Sequence, residues 1–333
     1  MLLEIPTSAR DVYFSVAYLS LYESELDSAE CFVFRSGDDI YLLPYLKRSH
    51  RIEGAVYYDF ETAYGYGGPL SNSCDPDFLR QAEQALYEAC SAADIFAGFV
   101  RFSPWLKNHK LIIEQSCLLF DRKTVAMDLS VDEIEIWTKQ VHSKHRNVIR
   151  KAEREGLTFE VDEDFKYMDA FIYLYRGTMQ RLEADDFYFL SDEHFHLFSE
   201  VMRGKAFLGL VYYMGEIVSA AIFLHDGVYG HYHLSGSDAA YQHLAPNNFM
   251  LYRAGLHLKK IGVERFHLGG GSDGNEDNSL FKFKSRFSPE CLDFYIGKFV
   301  FHPQIYNKVC MQWEQDFPDK TAMYGNRLLK YRY

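Results

Sequence analysis

The sequence has 333 residues, with 48% hydrophobic, 25% charged and 17% aromatic residues, which is the composition of a globular protein long enough for two domains. Its formal net charge of −12 argues against general nucleic-acid binding, DNA included, although it leaves room for a local basic surface. No apolar run approaches the roughly 20 residues of a membrane-spanning helix. The 25 tyrosines and 27 phenylalanines either fill β-rich cores or, in part, line a site for a sugar or peptide.

The start of the chain and the cysteines predict the compartment. Residues Met1–Pro6 lack the basic and apolar regions of a signal peptide. The six cysteines are scattered without a C-x-x-C pair, so neither a disulfide framework nor a zinc ribbon is expected. We expect a soluble cytoplasmic protein with reduced thiols and no metal site.

The first third of the chain is predicted to be α/β. The turn sequence Ser36–Asp39 lies between two apolar runs and predicts a β-hairpin. A turn-rich aromatic stretch, Asp59–Leu70, comes before a helix that is predicted from apolar residues at helical spacing. The predicted elements are strands at 31–34 and 40–46, a helix at 77–92, and strands at 95–102, 110–120 and 125–129.

The rest of the chain alternates between helices and strands. A capping-box-like sequence at Ser130–Glu133 predicts a helix start, and Gly156 predicts a helix end. Turn sequences at 214–216 and 226–227 predict a three-stranded antiparallel meander. The predicted helices lie at 144–155, 165–182, 192–202, 249–261 and 303–316, and the predicted strands at 157–161, 206–213, 217–224, 228–235, 263–268 and 291–301.

A β-α-β unit at 229–268 is the most informative part of the sequence. Its second strand ends in Gly269-Gly270-Gly271-Ser272, where no side chain blocks the backbone and a ligand has room. A basic aromatic cluster at 280–287 follows directly. We therefore expect the chemistry at this end of the sheet.

The order of elements and five short motifs resemble the FemABX-like branch of the GNAT superfamily, which contains the peptidoglycan-bridge aminoacyltransferases and related acetyltransferases. The motifs are the basic helix Lys144–Ala152, the strand Tyr232–Ser237, the strand end Leu268–Gly271, the cluster Phe283–Phe287 and the turn Tyr66–Pro69. The resemblance implies two tandem GNAT-like domains, each with a mixed, mostly antiparallel sheet flanked by helices.

The resemblance also implies where the domains lie and what they do. The first domain is expected at 1–130, with the tail from about 317 to 333 returning to it, and the second, at 131–316, carries the transfer site. The implied activity is N-acyl or aminoacyl transfer to an amine on a sugar, amino acid or peptide, in a cell-wall or surface-polysaccharide setting. Acyl-CoA or aminoacyl-tRNA is the implied donor, and no tightly bound cofactor is expected.

One loop departs from the pattern of enzymes that use acyl-CoA. These enzymes usually carry a glycine-rich loop whose N–H groups hold the CoA pyrophosphate. Here the loop Ala239–Pro246 has no glycine. The departure leaves a second class open, a non-catalytic protein that binds a ligand or partner on a GNAT scaffold.

The catalytic candidates are Lys284, Ser235 and His233. The resemblance implies that Lys284, between Phe283 and Phe287, faces donor or acceptor and offsets negative charge; the alternative is a solvated lysine on an amphipathic helix. Backbone N–H groups near Ser235 are the implied oxyanion donors. His233 is a candidate base or, alternatively, a hydrogen-bonded structural histidine.

The binding candidates form two groups. A donor co-substrate is expected at Gly236, Asn247, Asn248, Gly269, Gly270, Gly271 and Ser272. The acceptor, or tRNA as partner, is expected at Tyr64, Tyr66, Gly67, Gly68, Arg146, Arg150 and Arg286. For the basic helix Lys144–Ala152, the alternative is that its cations pair with nearby acids such as Glu153 and Glu155. For the tyrosine turn, which is Tyr64–Pro69, the alternative is a plain turn without a binding role.

Overall fold

A computed structural model describes residues 2–333, and the chain forms two compact units. One unit comprises the described residues through Asp121 together with Phe294–Tyr333, and the other is Arg122–Asp293. The predicted fold class, mixed α/β with mostly antiparallel pairing flanked by helices, is confirmed. The division into GNAT-like domains at residue 130, with a returning tail from about 317, concerns domain identity and stays a prediction.

The described residues form the following elements in chain order. The strands are β1 (Asp27–Ser36), β2 (Asp39–Ile52), β3 (Ala55–Glu61), β4 (Leu70–Ser71), β5 (Ile95–Arg101), β6 (Leu118–Asp128), β7 (Thr158–Asp162), β8 (Ala206–Tyr213), β9 (Glu216–Asp226), β10 (Tyr229–Ser237), β11 (Arg265–Gly270) and β12 (Cys291–Val300). The helices are α1 (Val16–Ser20), α2 (Pro76–Ala92), α3 (Glu133–Glu135), α4 (Ser143–Arg154), α5 (Met168–Arg181), α6 (Asp192–Val201), α7 (Pro246–Lys260), α8 (Ser279–Lys284), α9 (Pro303–Asp316) and α10 (Pro318–Tyr324).

Both units contain the same succession of elements. In the first unit, β1, β2 and β3 form an antiparallel meander, α2 follows, and β5 returns parallel to β3. In the second unit, β8, β9 and β10 form the meander, α7 follows, and β11 returns parallel to β10. The order in the second unit is β6-β11-β10-β9-β8-β7. The predicted meander and β-α-β unit of the second half are therefore present.

The core of the second unit lies where α4 and α7 pack against the strands. Ile149 of α4, Leu251 of α7 and Phe266 of β11 belong to one buried apolar cluster. A separate aromatic set joins α5 and α6, with the rings of Phe171 and Phe195 centred 5.5 Å apart. These contacts hold the strands that carry the candidate site between packed helices.

The predicted strand at 110–120 is wrong over most of its length. Two short 3₁₀ turns, Asn108–Leu111 and Gln115–Cys117, occupy this stretch, and β6 begins only at Leu118. The buried Glu83 carboxylate accepts hydrogen bonds from the N–H groups of Ile113 and Glu114, which removes these groups from any strand ladder.

Two smaller features complete the comparison with the sequence. The helix predicted to start at Ser130 is capped at Asp132, whose side chain accepts a hydrogen bond from the Glu135 N–H at 2.7 Å. Among residues 2–333, no helix is long and apolar enough to cross a membrane. The cytoplasmic location stays a prediction.

A pair of glycine substitutions tests how tightly β10 is held against α5. A Cβ at Gly236 would lie 2.3 Å from the backbone of Leu174, whereas a Cβ at Gly177 of α5 would meet nothing within 4 Å. We expect Gly236→Ala to lower the free energy of unfolding by about 1–3 kcal/mol or more. Gly177→Ala should raise it by up to about 1 kcal/mol, because alanine favours the helix. Urea unfolding measures both, and equal effects would contradict this packing.

Candidate active site

The candidate site is a gap between β10 and β11. The two strands pair in parallel only from Tyr229–His231 to Arg265–His267 within the described part of the chain. Just beyond, β10 has a bulge at Tyr232/Leu234 against β9, and β11 has a bulge at His267/Gly269 against β6. Bulges bend strands away from regular pairing. Beyond them, the backbones of β10 and β11 are no longer paired with each other.

Lys284 enters this gap from the last turn of α8. Its side chain is buried, and Nζ donates a hydrogen bond to the carbonyl oxygen of Gly270 on β11 at 2.9 Å. Nζ also lies 5.8 Å from the ring centroid of Tyr232 on β10. Burial, with the Arg122 cation as a second cause, lowers the pKa of Lys284 to about 7. The alternative of a solvated lysine is excluded by this burial, and the catalytic role stays a prediction.

Helix α8 has this position because both of its ends are held. Asn278 caps the helix, and its Oδ1 accepts a hydrogen bond from the Phe281 N–H at 3.2 Å. His145 of α4 donates from Nε2 to the carbonyl of Phe283 at 3.0 Å. Phe281 is part of the core, and Lys284 follows it by three residues on the same helix face. The helix therefore directs Lys284 inward.

The three glycines at the end of β11, Gly269, Gly270 and Gly271, fit tightly against neighbouring groups. Gly269 has φ +77°, and a Cβ there would lie 3.1 Å from Lys284 Nζ. A Cβ at Gly270 would lie 2.9 Å from the Lys123 carbonyl, and one at Gly271 would lie 2.8 Å from Asn278 Oδ1. The glycines thus let the chain approach its own side chains. Ser272 Oγ accepts a hydrogen bond from Asn278 Nδ2 at 2.6 Å.

On β10, His231 and His233 make different contacts from those of Ser235. Tyr232 donates its hydroxyl to Ser235 Oγ at 2.5 Å, so both line the gap that contains Lys284. His233, the extra residue of the bulge, stacks on Phe198 of α6, whereas His231 lies against His267 of β11. His231 and His233 therefore have different surroundings. Burial lowers the pKa of His233 to about 3, which disfavours it as a base near neutral pH.

Three residues around the gap were missed by sequence reasoning. They are Tyr232; His267, which donates from Nε2 to Thr124 Oγ1 at 2.8 Å; and Arg122, which donates from Nη1 to the Gly271 carbonyl at 2.9 Å. Tyr232 lies in a strand motif with nothing local to mark it as a site residue, and Arg122 lies 149 residues before its partner. No local spacing signals such a contact.

In the turn before α7, backbone N–H groups donate hydrogen bonds to acceptors of the same turn. The stretch Ala239–Leu244 is 3₁₀-helical, and the Ala240 N–H donates to Asp238 Oδ1 at 2.8 Å. The Ala245 N–H donates to the Gln242 carbonyl at 2.9 Å. A CoA pyrophosphate needs such groups unengaged, so these two N–H groups are not available to the pyrophosphate of acyl-CoA.

The first turn of α7 carries the other two donor-site candidates. Asn247 Oδ1 accepts a hydrogen bond from Ser219 Oγ at 2.7 Å. The Asn248 N–H donates to the Ala245 carbonyl at 3.1 Å. Both residues are half-buried, and both are at least partly engaged in holding the helix start.

The cations of the basic helix α4 fall into two groups, one bonded to the preceding turn and one exposed on the surface. Arg146 Nη1 donates to the carbonyl oxygens of Trp137, Thr138 and Val141, and the Arg150 guanidinium lies 5.2 Å from the Trp137 ring centroid. Arg146 therefore stabilises the preceding turn. The exposed basic residues on and near α4 are Lys144, Arg150, Lys151, Arg154 and Arg286.

The tyrosine turn of the first unit is firmly packed within that unit. Tyr18 donates its hydroxyl to the Tyr64 carbonyl at 2.7 Å, and Asn108 Nδ2 donates to the Gly67 carbonyl at 2.8 Å. The Tyr66 ring packs edge-on against another tyrosine, and Gly68 is buried. The acceptor role of Tyr64, Tyr66, Gly67 and Gly68 stays a prediction.

Comparison with known proteins assigns the class. Residues 139–284 match the family model of the acetyltransferase (GNAT) domain, and this segment contains β10, α7, β11 and Lys284. The second unit therefore carries a GNAT domain, and the chain is an acyltransferase. The fold is shared with FemX, which supports the resemblance to the FemABX-like branch that the sequence motifs suggested.

Three solved structures show the same fold at low sequence identity. FemX is 13% identical with a TM-score of 0.67, over 90% of this chain and 95% of FemX. A C-terminal domain assigned to a lysylphosphatidylglycerol synthetase of Agrobacterium fabrum is 18% identical with a TM-score of 0.54, over 81% of this chain and 84% of that one. L-PGS from Bacillus licheniformis is 14% identical with a TM-score of 0.53, over 82% and 84%. None of the curated proteins compared with this sequence matches it significantly.

The burial of Lys284 should be visible in the pH dependence of stability. Its pKa is about 7 in the folded chain and about 10.4 when unfolded, so between these values the unfolded state binds more protons. Stability should therefore rise with pH in this window by up to about 1.4 kcal/mol per pH unit from this group. Lys284→Met should remove that slope, as measured by urea unfolding from pH 7 to pH 10. An unchanged slope would place the Lys284 amine in water.

Proposed function

We propose that the chain is an N-acyltransferase whose reaction takes place in the gap between β10 and β11, with Lys284 as proton acceptor. The observation that carries this proposal is the position of the Lys284 amine, buried beside Gly270 and Tyr232 at the opening of the two strands. An amine with a pKa of about 7 is substantially neutral near pH 7. It can donate one hydrogen to the Gly270 carbonyl and still offer its lone pair to a proton.

The step needs a neutral acceptor amine and a polarised acyl carbonyl. The acceptor nitrogen bonds to the acyl carbon, and the bond from that carbon to the oxygen of the donor ester breaks. The proton lost by the acceptor nitrogen moves to Lys284 Nζ, and the released oxygen takes up a proton. The backbone N–H groups of Ser235 and Gly236 are the proposed donors to the oxyanion, because β10 has left β11 there, whereas the Ser237 N–H already donates to Thr178 Oγ1 at 3.0 Å.

The donor that suits this chain best is an aminoacyl-tRNA. The turn Ala239–Leu244 engages its own N–H groups, which disfavours acyl-CoA. The exposed cations of α4, together with Arg286, form a basic surface on a chain of net charge −12, and phosphates attract such groups. FemX and L-PGS share the fold. We place the acceptor among the amines of sugars, amino acids and peptides, in synthesis of a surface polymer.

Two lysines on α8 provide a matched test of the mechanism. Lys284→Met should lower kcat/KM for transfer by about 10²-fold or more, because the proton acceptor is lost. Lys282→Met removes an exposed lysine of the same helix, which pairs with Asp277 just before the helix, and should change kcat/KM little. Thermal melts establish that both variants fold. Equal activity of the two variants would remove Lys284 from the mechanism.

The donor can be tested by ligand-induced stabilisation and by salt. A ligand at about 100 times its Kd raises stability by about 2.7 kcal/mol, which is a shift of several degrees in Tm. We expect no shift with millimolar acetyl-CoA. Transfer from aminoacyl-tRNA should weaken steeply with salt, and less steeply after Lys151→Gln combined with Arg154→Gln on α4. A clear acetyl-CoA shift would instead support an acyl-CoA donor.

A further inference from the structure

Two cationic side chains from different elements converge on the glycines at the end of β11. Arg122 of β6 donates to the carbonyl of Gly271, and Lys284 of α8 donates to the carbonyl of Gly270, both at 2.9 Å. The two acceptors are consecutive residues. The cations are thus brought together by the fold, although Lys284 follows Arg122 by 162 residues in the sequence.

The absence of side chains on the glycines makes this convergence possible. A Cβ at Gly270 would lie 3.1 Å from Arg122 Cδ, and a Cβ at Gly269 would lie 3.1 Å from Lys284 Nζ. The stem of Arg122 therefore packs directly on the backbone to which Lys284 is hydrogen-bonded. A shift of Arg122 would move the carbonyls that orient the lysine amine.

The charges around Lys284 single out Arg122. An arginine stays protonated at every relevant pH, and in a buried site it disfavours a second positive charge nearby. The other ionisable groups facing the site are His267 and His231, whose rings pack together, and Tyr232. Burial lowers the pKa of His267 well below its usual value and raises the pKa of Tyr232 to about 12, so both are neutral near pH 7. On α8 itself, Lys282 is exposed and paired with an acid.

We propose that Arg122 is a positioning residue, whose hydrogen bond to the Gly271 carbonyl holds the glycine loop and whose guanidinium places a fixed positive charge near the buried Lys284 amine. This inference rests on the role proposed for Lys284 in acyl transfer. Arg122 itself contacts the loop and is assigned no contact with substrate. Its effect on the reaction is exerted through the ionisation and direction of the lysine.

Two Arg122 variants separate charge from shape. Arg122→Gln removes the charge and keeps a hydrogen-bond donor, whereas Arg122→Lys keeps the charge. The titration midpoint of Lys284 is measured by NMR on protein labelled at the lysine side chains, with the signal assigned from its loss in Lys284→Arg. We expect the midpoint to rise by about one pH unit in Arg122→Gln and to stay near the original value in Arg122→Lys. An unchanged midpoint in a folded Arg122→Gln protein would overturn the inference.

Transfer kinetics distinguish failure of this inference from failure of the proposed function. The acid limb of the pH profile of kcat/KM should move upward in Arg122→Gln by the same amount as the NMR midpoint. If the midpoint moves and the profile does not, the coupling between Arg122 and Lys284 stands, and Lys284 is not the proton acceptor. If transfer requires Lys284 while the midpoint stays fixed, the function stands and the inference fails. Arg122→Met replaces Arg122→Gln if the latter does not fold.

Discussion

The early end of the pairing between β10 and β11 is the constraint on which the rest of the site depends. Each strand carries a bulge on its other side, at Tyr232/Leu234 and at His267/Gly269, so the two strands cannot continue in register with each other. The opening faces packed helices, and α8 fills part of it with one lysine. A regular sheet would leave no room for that amine and no unpaired backbone for an acyl group.

Burial of Lys284 carries a cost to stability that the fold tolerates at this one position. A lysine taken out of water loses hydration of its charge, and the carbonyl of Gly270 compensates only in part. Groups with such perturbed ionisation cluster at functional sites, because proton transfer near pH 7 needs a pKa near 7. The GNAT assignment of residues 139–284 and the position of Lys284 thus support each other through independent observations.

The sequence predicts the succession of elements well and the contacts of the site poorly. The meander, the β-α-β unit and the candidate Lys284 follow from local patterns, since turns and helical spacing depend on neighbours in sequence. The bulges do not, and they separate His233 from His231. The contact of Arg122 with Gly271 and the link from Glu83 to the 113–114 backbone join distant segments. Such contacts depend on tertiary packing, which local sequence propensity does not predict.

The central claim is that an uncharged Lys284 accepts the proton released by the acceptor amine. The most direct measurement is the rate of a single round of transfer, with donor and enzyme preincubated, as a function of pH from 5.5 to about 9. The same series on Lys284→Met reports the ionisation of the acceptor amine alone, so the ratio of the two rates isolates Lys284. This ratio should rise tenfold per pH unit below the pKa of Lys284, bend near pH 7 and then stay level. A ratio that falls above pH 7 would show that the lysine acts as a cation, and would contradict the account.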